Sequence, residues 1–272
     1  MTGQQPQETY THGYQSAVRY QQTRTAEDQA AFFVRHLHTG MTILDCGCGP
    51  GTITVGLADV VDPGLVVGID LGEEVIDLAN GLIGDRKNLE FQVASVYEIP
   101  FPDEHFDGVL IHKVLEHVAE PATALKEVIR VLKPGGVAGA RSTDQGARNI
   151  FPWCEAMNDV FDNLQNRWQK NGGNPFFGRA QQSAMRKAGF ERLETTHRVE
   201  IATADRWLQE FEKIWSGDYE EWVNRGFLTE AQASDPEEMT TVKSDLKAFV
   251  ADPDWSFVTS VDYETVGWKL RA

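Results

Sequence analysis

Three cysteines in 272 residues, Cys46, Cys48 and Cys154, are too few for a disulfide framework. Cys46 and Cys48 form a C-x-C with no second pair and no nearby histidine, a weak metal signal, so no metal site is expected. Basic residues are also scarce: 25 Lys and Arg stand against 41 Asp and Glu, a net charge of −16. Phosphate contacts need clustered cations, so this balance argues against a nucleic-acid partner and fits a small neutral or cationic one better. No apolar run approaches the roughly 18 residues of a membrane span. The first 20 residues lack both the basic start and the apolar stretch of a signal peptide. These absences point to a cytoplasmic protein without a membrane span, and they leave a homodimer open.

What is present is an ordinary globular composition, 41% apolar, and a chain that changes character along its length. Residues 1–23 are rich in Gln, Thr and Tyr, and read either as a frayed terminus or as a short aromatic lid, with Tyr20, beside Arg24, the favoured lid residue. Thr25-Ala26-Glu27-Asp28 reads as a capping box opening a helix that buries Ala30, Phe33, Val34 and Leu37. Strands are then predicted at Thr42–Cys46, Leu65–Asp70, Leu89–Ala94, Phe106–His112 and Val137–Arg141, the last after a stop at Lys133-Pro134-Gly135-Gly136. Helices between them are predicted over about Thr52–Val60, Glu73–Asn80 and Ala122–Leu132. This alternation means an open, mostly parallel α/β sheet, Rossmann-like, covering residues 24–149. Residues 150–272 complete the sheet with strands at Phe190–Ile201 and Phe257–Leu270, the last antiparallel. They also insert helical segments (150–188 and 203–253) carrying Phe151, Trp153, Met157, Phe161, Trp168, Trp207, Phe211, Trp215, Trp222 and Phe249. Residues 215–245 have the least clear pattern.

The most informative stretch is Asp45-Cys46-Gly47-Cys48-Gly49-Pro50-Gly51-Thr52, where a buried strand runs into a turn with glycine at alternate positions and then a helix. Glycine there lets a ligand approach the backbone closely. A dinucleotide fingerprint would need G-x-G-x-x-G, but the third glycine comes one residue early, and Pro50 removes a backbone donor that a pyrophosphate would use. A P-loop would need a lysine after its last glycine, and Thr52 stands there.

Asp45-x-Gly47-x-Gly49-Pro50-Gly51 instead resembles class I S-adenosylmethionine-dependent methyltransferases. So do Asp70 at the end of the second strand, Ile99-Pro100-Phe101-Pro102-Asp103 with Phe106-Asp107, Val114-Leu115-Glu116-His117-Val118, and Leu132-Lys133-Pro134-Gly135-Gly136. More narrowly the chain resembles the ubiquinone/menaquinone-biosynthesis type, in a branch found in microbial secondary metabolism. The resemblance implies S-adenosylmethionine as methyl donor, with S-adenosylhomocysteine as product, and a small-molecule acceptor. It assigns the methionine tail to Gly47, Gly49 and Gly51, with Asp45 reaching the ammonium. Asp70 takes the ribose hydroxyls, the alternative being a helix cap before Glu73, and Leu71 packs on adenine. Where the family has Asp for the adenine amino group, this chain has Ser95, with the Val96 amide serving the ring. Tyr20 and Arg24 join the cofactor set.

Methyl transfer needs alignment more than acid–base chemistry, and a base only where the acceptor must lose a proton. His112 and His117 are the candidates. His112 alternatively lends its backbone to the methionine tail, and His117 alternatively serves as a structural helix-start residue. Lys113 reads as a surface or rim residue, and Asp144 as a base or, better, a cap for the next helix. Arg179 reads as ordering its loop. The insertion's aromatics either wall an apolar, aromatic acceptor pocket or form the insertion's own core. The expected activity is O- or N-methylation of a natural product or quinone-like molecule, with carbon methylation next. The alternative is a cofactor-binding protein on this fold that regulates, or catalyses a rearrangement without methylation.

Overall fold

The computed structural model describes residues 21–203, 223 and 228–271. The central strands of its sheet read as nearly continuous apolar runs because both of their faces are covered. The parallel strands are β1 (Ile43–Cys46), β2 (Val66–Asp70), β3 (Leu89–Val93), β4 (Phe106–His112) and β5 (Leu132–Asp144). They pair in the order β3-β2-β1-β4-β5. β8 (Ser256–Trp268) runs antiparallel to β5. β7 (Glu191–Thr203) and the two-residue β6 (Ile150–Phe151) both pair antiparallel with β8. The expected open sheet with an antiparallel last strand is what the chain forms. Because the chain steps from β1 to β2 on one side and returns to β4 on the other, a crevice opens between the carboxyl ends of β1 and β4. In sheets of this kind that is where ligands bind.

Side chains alternate across the sheet with the two-residue strand period. Ile43 and Val66 enter one core with Phe33, Leu57 and Leu110, while Leu44 and Val67 enter another with Leu125, Val128 and Met185. The first core is covered by α1 (Ala26–Gln29), α2 (Ala31–Val34) and α3 (Thr52–Val61). α4 (Glu73–Asn80) buries Val75, Ile76 and Ala79. The second core is covered by α5 (Pro121–Val131) and α7 (Gly178–Ala188). A third, separate cluster joins Met157 and Phe161 of α6 (Glu155–Lys170) to Leu246 and Phe249 of α9 (Pro236–Ala251) and to Trp255 and Phe257. α8 (Glu230–Ser234) precedes α9. Among the described residues no helix is long and apolar enough to cross a membrane.

Three predicted boundaries differ for identifiable reasons. Thr25 caps α1 by accepting from the Asp28 amide at 3.2 Å, but Ala30 (φ −125°) breaks the single predicted helix into two short turns. β5 begins at Leu132 rather than Val137: Leu132 pairs with Phe106, Lys133–Gly136 bulges out, and pairing resumes at Val137 opposite Gly108. It also extends three residues past Arg141, since Ser142, Thr143 and Asp144 pair with Tyr263, Asp262 and Val261 of β8. The helix predicted from residue 150 starts at Glu155, because the residue before Pro152 is biased to extended backbone. Phe151 and Trp153 therefore stand outside the insertion's core, 61% and 67% exposed.

Close helix–sheet contact depends on small residues in the strands. A methyl group on Gly139 of β5 would lie 2.6–2.8 Å from Phe33, which is fully buried. Gly139→Ala is expected to cost about 2 kcal/mol, seen as a lower urea midpoint with an unchanged slope.

Candidate active site

At the carboxyl end of β1 the glycine turn is moored to the end of β2. The Gly47 and Cys48 amides donate to the Ile69 carbonyl at 2.7 and 3.0 Å. The Gly49 amide donates to Asp70 Oδ2 at 3.0 Å, and the Gly72 amide to Asp70 Oδ1 at 3.1 Å. Gly47, Gly49 and Gly51 all have positive φ (72°, 53° and 82°), a region that favours glycine. Space enforces the same choice: a Cβ on Gly47 would lie 2.3 Å from Val114, and one on Gly51 would lie 2.7 Å from Phe91. Gln21 reaches over the turn, its carbonyl accepting from Thr52 Oγ1 at 3.3 Å and its side chain facing Gly49.

Two carboxyl groups flank this turn. Asp45 is buried, with Oδ2 accepting from Thr54 Oγ1 at 2.7 Å. Burial pushes its carboxyl up to about 7, the Thr54 hydroxyl opposing and the nearby Asp70 adding to the rise. Asp70 is raised as well, chiefly by burial, against the pull of the Gly72 and Gly49 amides. A cationic, hydroxyl-rich ligand would relieve both.

The neighbouring sequence candidates gather at the same edge. Leu71, directly after Asp70, is 45% exposed although apolar. The Ala94 amide donates to the Asp70 carbonyl at 3.0 Å, which brings Ser95 and Val96 beside it. Ser95 Oγ accepts from the Tyr97 amide at 3.2 Å, and Val96 is buried. On the other side of the crevice His112 closes β4, buried, with no hydrogen-bond partner for Nε2 among the described residues. Burial, then Arg24, Arg141 and Lys113, hold its imidazole well below the ordinary value, so it is neutral at neutral pH. Arg24 is thereby placed near His112. His117 stacks on Trp168 of α6, ring centroids 4.5 Å apart and 12° from parallel. Tyr20, Trp207, Phe211, Trp215 and Trp222 lie outside the described residues.

Two sequence expectations are corrected. Lys113 is no rim residue: its Nζ is 2.8 Å from Asp262 Oδ2, and Asp262 is fully buried. Asp144 does not cap the next helix, whose N-cap is Cys154. Its carboxyl is instead taken by Arg179, with Nη2 2.6 Å from Oδ1, and by the Gly146 amide at 2.8 Å. Arg179, in turn, lies over the Phe176 ring at 5.4 Å, which gives its loop-ordering role a mechanism.

The structure gives roles to two residues to which the sequence reading assigned none. Arg141 is fully buried between Asp262 (Nη2–Oδ2 2.6 Å) and Glu200 (3.0 Å). Glu116 is fully buried, with Oε1 accepting from the Thr143 amide at 3.0 Å. Burial raises its carboxyl. The Glu116 carbonyl accepts from Trp168 Nε1 at 3.1 Å and from the Asn174 amide at 2.7 Å. The available signal was an arginine inside an otherwise small and apolar strand, Val137-Ala138-Gly139-Ala140-Arg141, which demands a buried partner.

Asp45 also sets a pH dependence. Its carboxyl keeps its proton to about pH 7 when folded and only to about pH 4 when unfolded. Between those values the folded state binds more protons, so stability falls as pH rises across the window and levels off above it. Asp45→Asn keeps an acceptor for Thr54. It is expected to melt about 5 °C above wild type at pH 8, and level with it near pH 4, in a thermal melt series.

Comparison with known proteins picks out the same stretch. Residues 44–139 match a family model described as a methyltransferase domain. An uncharacterized methyltransferase of Schizosaccharomyces pombe is 36% identical over 165 residues, 58% of this chain and 59% of that protein. The demethylmenaquinone methyltransferase of Lactococcus lactis is 40% identical over 101 residues, 36% of this chain and 40% of its own length. The matched part of the chain thus spans six-tenths or less of these relatives. Haemonchus contortus phosphoethanolamine N-methyltransferase 2, solved in complex with S-adenosyl-L-methionine, shares the fold at a TM-score of 0.56. That likeness covers 90% of this chain and 52% of the other, at 21% identity. The stretch that matches a methyltransferase domain, residues 44–139, runs from the first parallel strand into the fifth and contains the glycine turn, Asp70 and His112.

Proposed function

We propose that this protein transfers a methyl group from S-adenosylmethionine to a small, apolar or aromatic acceptor, with oxygen or nitrogen as the favoured target and ring carbon next. The observation that carries the reading is Asp70, fixed by the Gly49 and Gly72 amides at the switch point of the sheet, beside an exposed leucine. In this reading Asp70 binds the ribose diol through charge-assisted hydrogen bonds, and Leu71 covers the adenine. Ser95 and the Val96 amide meet the adenine edge. The backbone of Gly47–Gly51 receives the methionine tail, with Arg24 beside it. Asp45, raised by burial, supplies negative charge beneath the tail's ammonium.

S-adenosylmethionine brings a methyl carbon already activated by its sulfonium. The chain's own part is therefore to align the acceptor and exclude water. His117 lies flat against Trp168, five residues beyond the end of β4. In this reading it takes a proton from a hydroxyl or amine acceptor. His112 stays neutral and lines the tail. Trp168 also bonds the Glu116 carbonyl, so the helical insertion is docked directly on the candidate catalytic segment and would wall the acceptor space. The name of the Lactococcus relative supports a quinone-like acceptor.

The test is incubation with methyl-labelled cofactor and a metabolite extract. A product gaining one methyl mass is expected, and cofactor binding without any labelled product in repeated screens would contradict the reading. His117→Ala should lower transfer about a hundredfold while leaving cofactor affinity near wild type in calorimetry. Ser95→Asp, which restores an ionised acceptor for the adenine amino group, should tighten cofactor binding about tenfold.

A further inference from the structure

β4 ends at His112, and the next residue, Lys113, has φ 56°, a left-handed conformation rarely adopted by a long side chain. Such a conformation persists only where its surroundings over-determine it. Here they do so twice. The Lys113 amide donates to the Arg141 carbonyl at 2.7 Å, and its ammonium lies 2.8 Å from Asp262 Oδ2. Asp262 is itself anchored on β8. Arg141 Nε and Nη2 donate to its Oδ2 at 2.9 and 2.6 Å, while Thr143 and Ser260 hydroxyls donate to Oδ1 at 3.0 and 3.2 Å. Glu200 and Glu264 face the same guanidinium at 3.0 and 3.6 Å.

The bend at Lys113 directs the chain through Val114, Leu115, Glu116 and His117. Val114 lies against Gly47, so close that a Cβ on that glycine would meet it at 2.3 Å. Leu115 enters the core, Glu116 caps the Thr143 amide, and His117 meets Trp168. Burial lowers the Lys113 ammonium, which the Asp262 carboxylate opposes. Burial alone would raise Asp262, but Lys113 and Arg141 hold its carboxyl well below the usual range.

We propose that Lys113, clamped in its left-handed bend by Asp262, is a positioning residue that presses Val114 onto the glycine turn and so sets the shape of the cofactor cradle. It acts through Val114 and touches no ligand. The proposal rests on the cofactor reading above for its effect on affinity, though not for its effect on Val114.

The experiment compares wild type with Lys113→Met and Lys113→Arg, each confirmed folded by circular dichroism. Val114 methyl resonances are monitored without ligand, and S-adenosylmethionine affinity is measured by calorimetry. Lys113→Met removes the ion pair while keeping the stem. It should shift and broaden the Val114 methyl signals and weaken binding about tenfold, whereas Lys113→Arg should restore both. A Lys113→Met protein that melts lower yet keeps the wild-type Val114 signals and affinity would overturn the proposal, because a merely stabilising pair behaves that way. Should wild type itself fail to bind the cofactor, the cofactor reading falls and the Val114 signals alone decide this one. If Lys113→Met does not fold, the same two readouts are taken on Asp262→Asn.

Discussion

The site depends on one mooring, the pair of oxygens on Asp70 that hold the Gly49 and Gly72 amides. β1 must hand the chain to α3 through a turn whose three glycines all adopt positive φ, a conformation with high entropy to lose. Tying that turn to the carboxyl end of β2, through Asp70 and the Ile69 carbonyl, gives it a fixed floor. Hydrogen bonds from amides to a carboxylate are among the stronger ones a protein can make. The carboxyl that fixes the turn also stands at the mouth of the crevice, so the proposed cofactor reading makes the same atoms serve structure and ligand recognition.

Around that floor the fold tolerates buried charge only where it is matched. Arg141 and Asp262 are both fully buried, and together they organise Lys113, Thr143, Ser260 and Glu200. Arg141 also donates to the Gln29 carbonyl at 3.2 Å, and Arg198 pairs with Asp28 at 2.9 Å. The α1 segment that leads into the Gln21 cover is thus tied to strands β5, β7 and β8. Removing one partner from such a cluster leaves a charge buried and uncompensated, which is far costlier than never having had the pair. Asp45 and Asp70 are different: burial raises both, and their hydrogen bonds only partly offset it. A ligand with an ammonium and hydroxyl groups answers that asymmetry.

Much of this was legible in the sequence. The parallel strands announced themselves as short apolar runs ending in turn residues, and α4 was read to its last residue because its pattern is clean. Asp45, the alternate glycines and Asp70 could be read together because local geometry and ligand chemistry require the same residue types there. What was not legible rests on partners far apart in the chain. Lys113 looks like any surface lysine until Asp262, on the last strand, is brought beside it. Asp144 looks like a helix cap until Arg179 arrives from α7. Phe151 and Trp153 fit a helical stripe, but the proline between them moves the helix start and leaves both exposed. The extended tail of β5 escaped notice because its polar residues satisfy one another only across β8.

The central claim is that the turn moored by Asp70 is a cradle for S-adenosylmethionine. Calorimetric titration of that cofactor into wild type and into Asp70→Ala tests it most directly. The account predicts one site per chain for wild type and a loss of at least about tenfold in affinity for the variant, with circular dichroism unchanged. Absence of binding by wild type at millimolar cofactor, or equal binding by the two proteins, would contradict it.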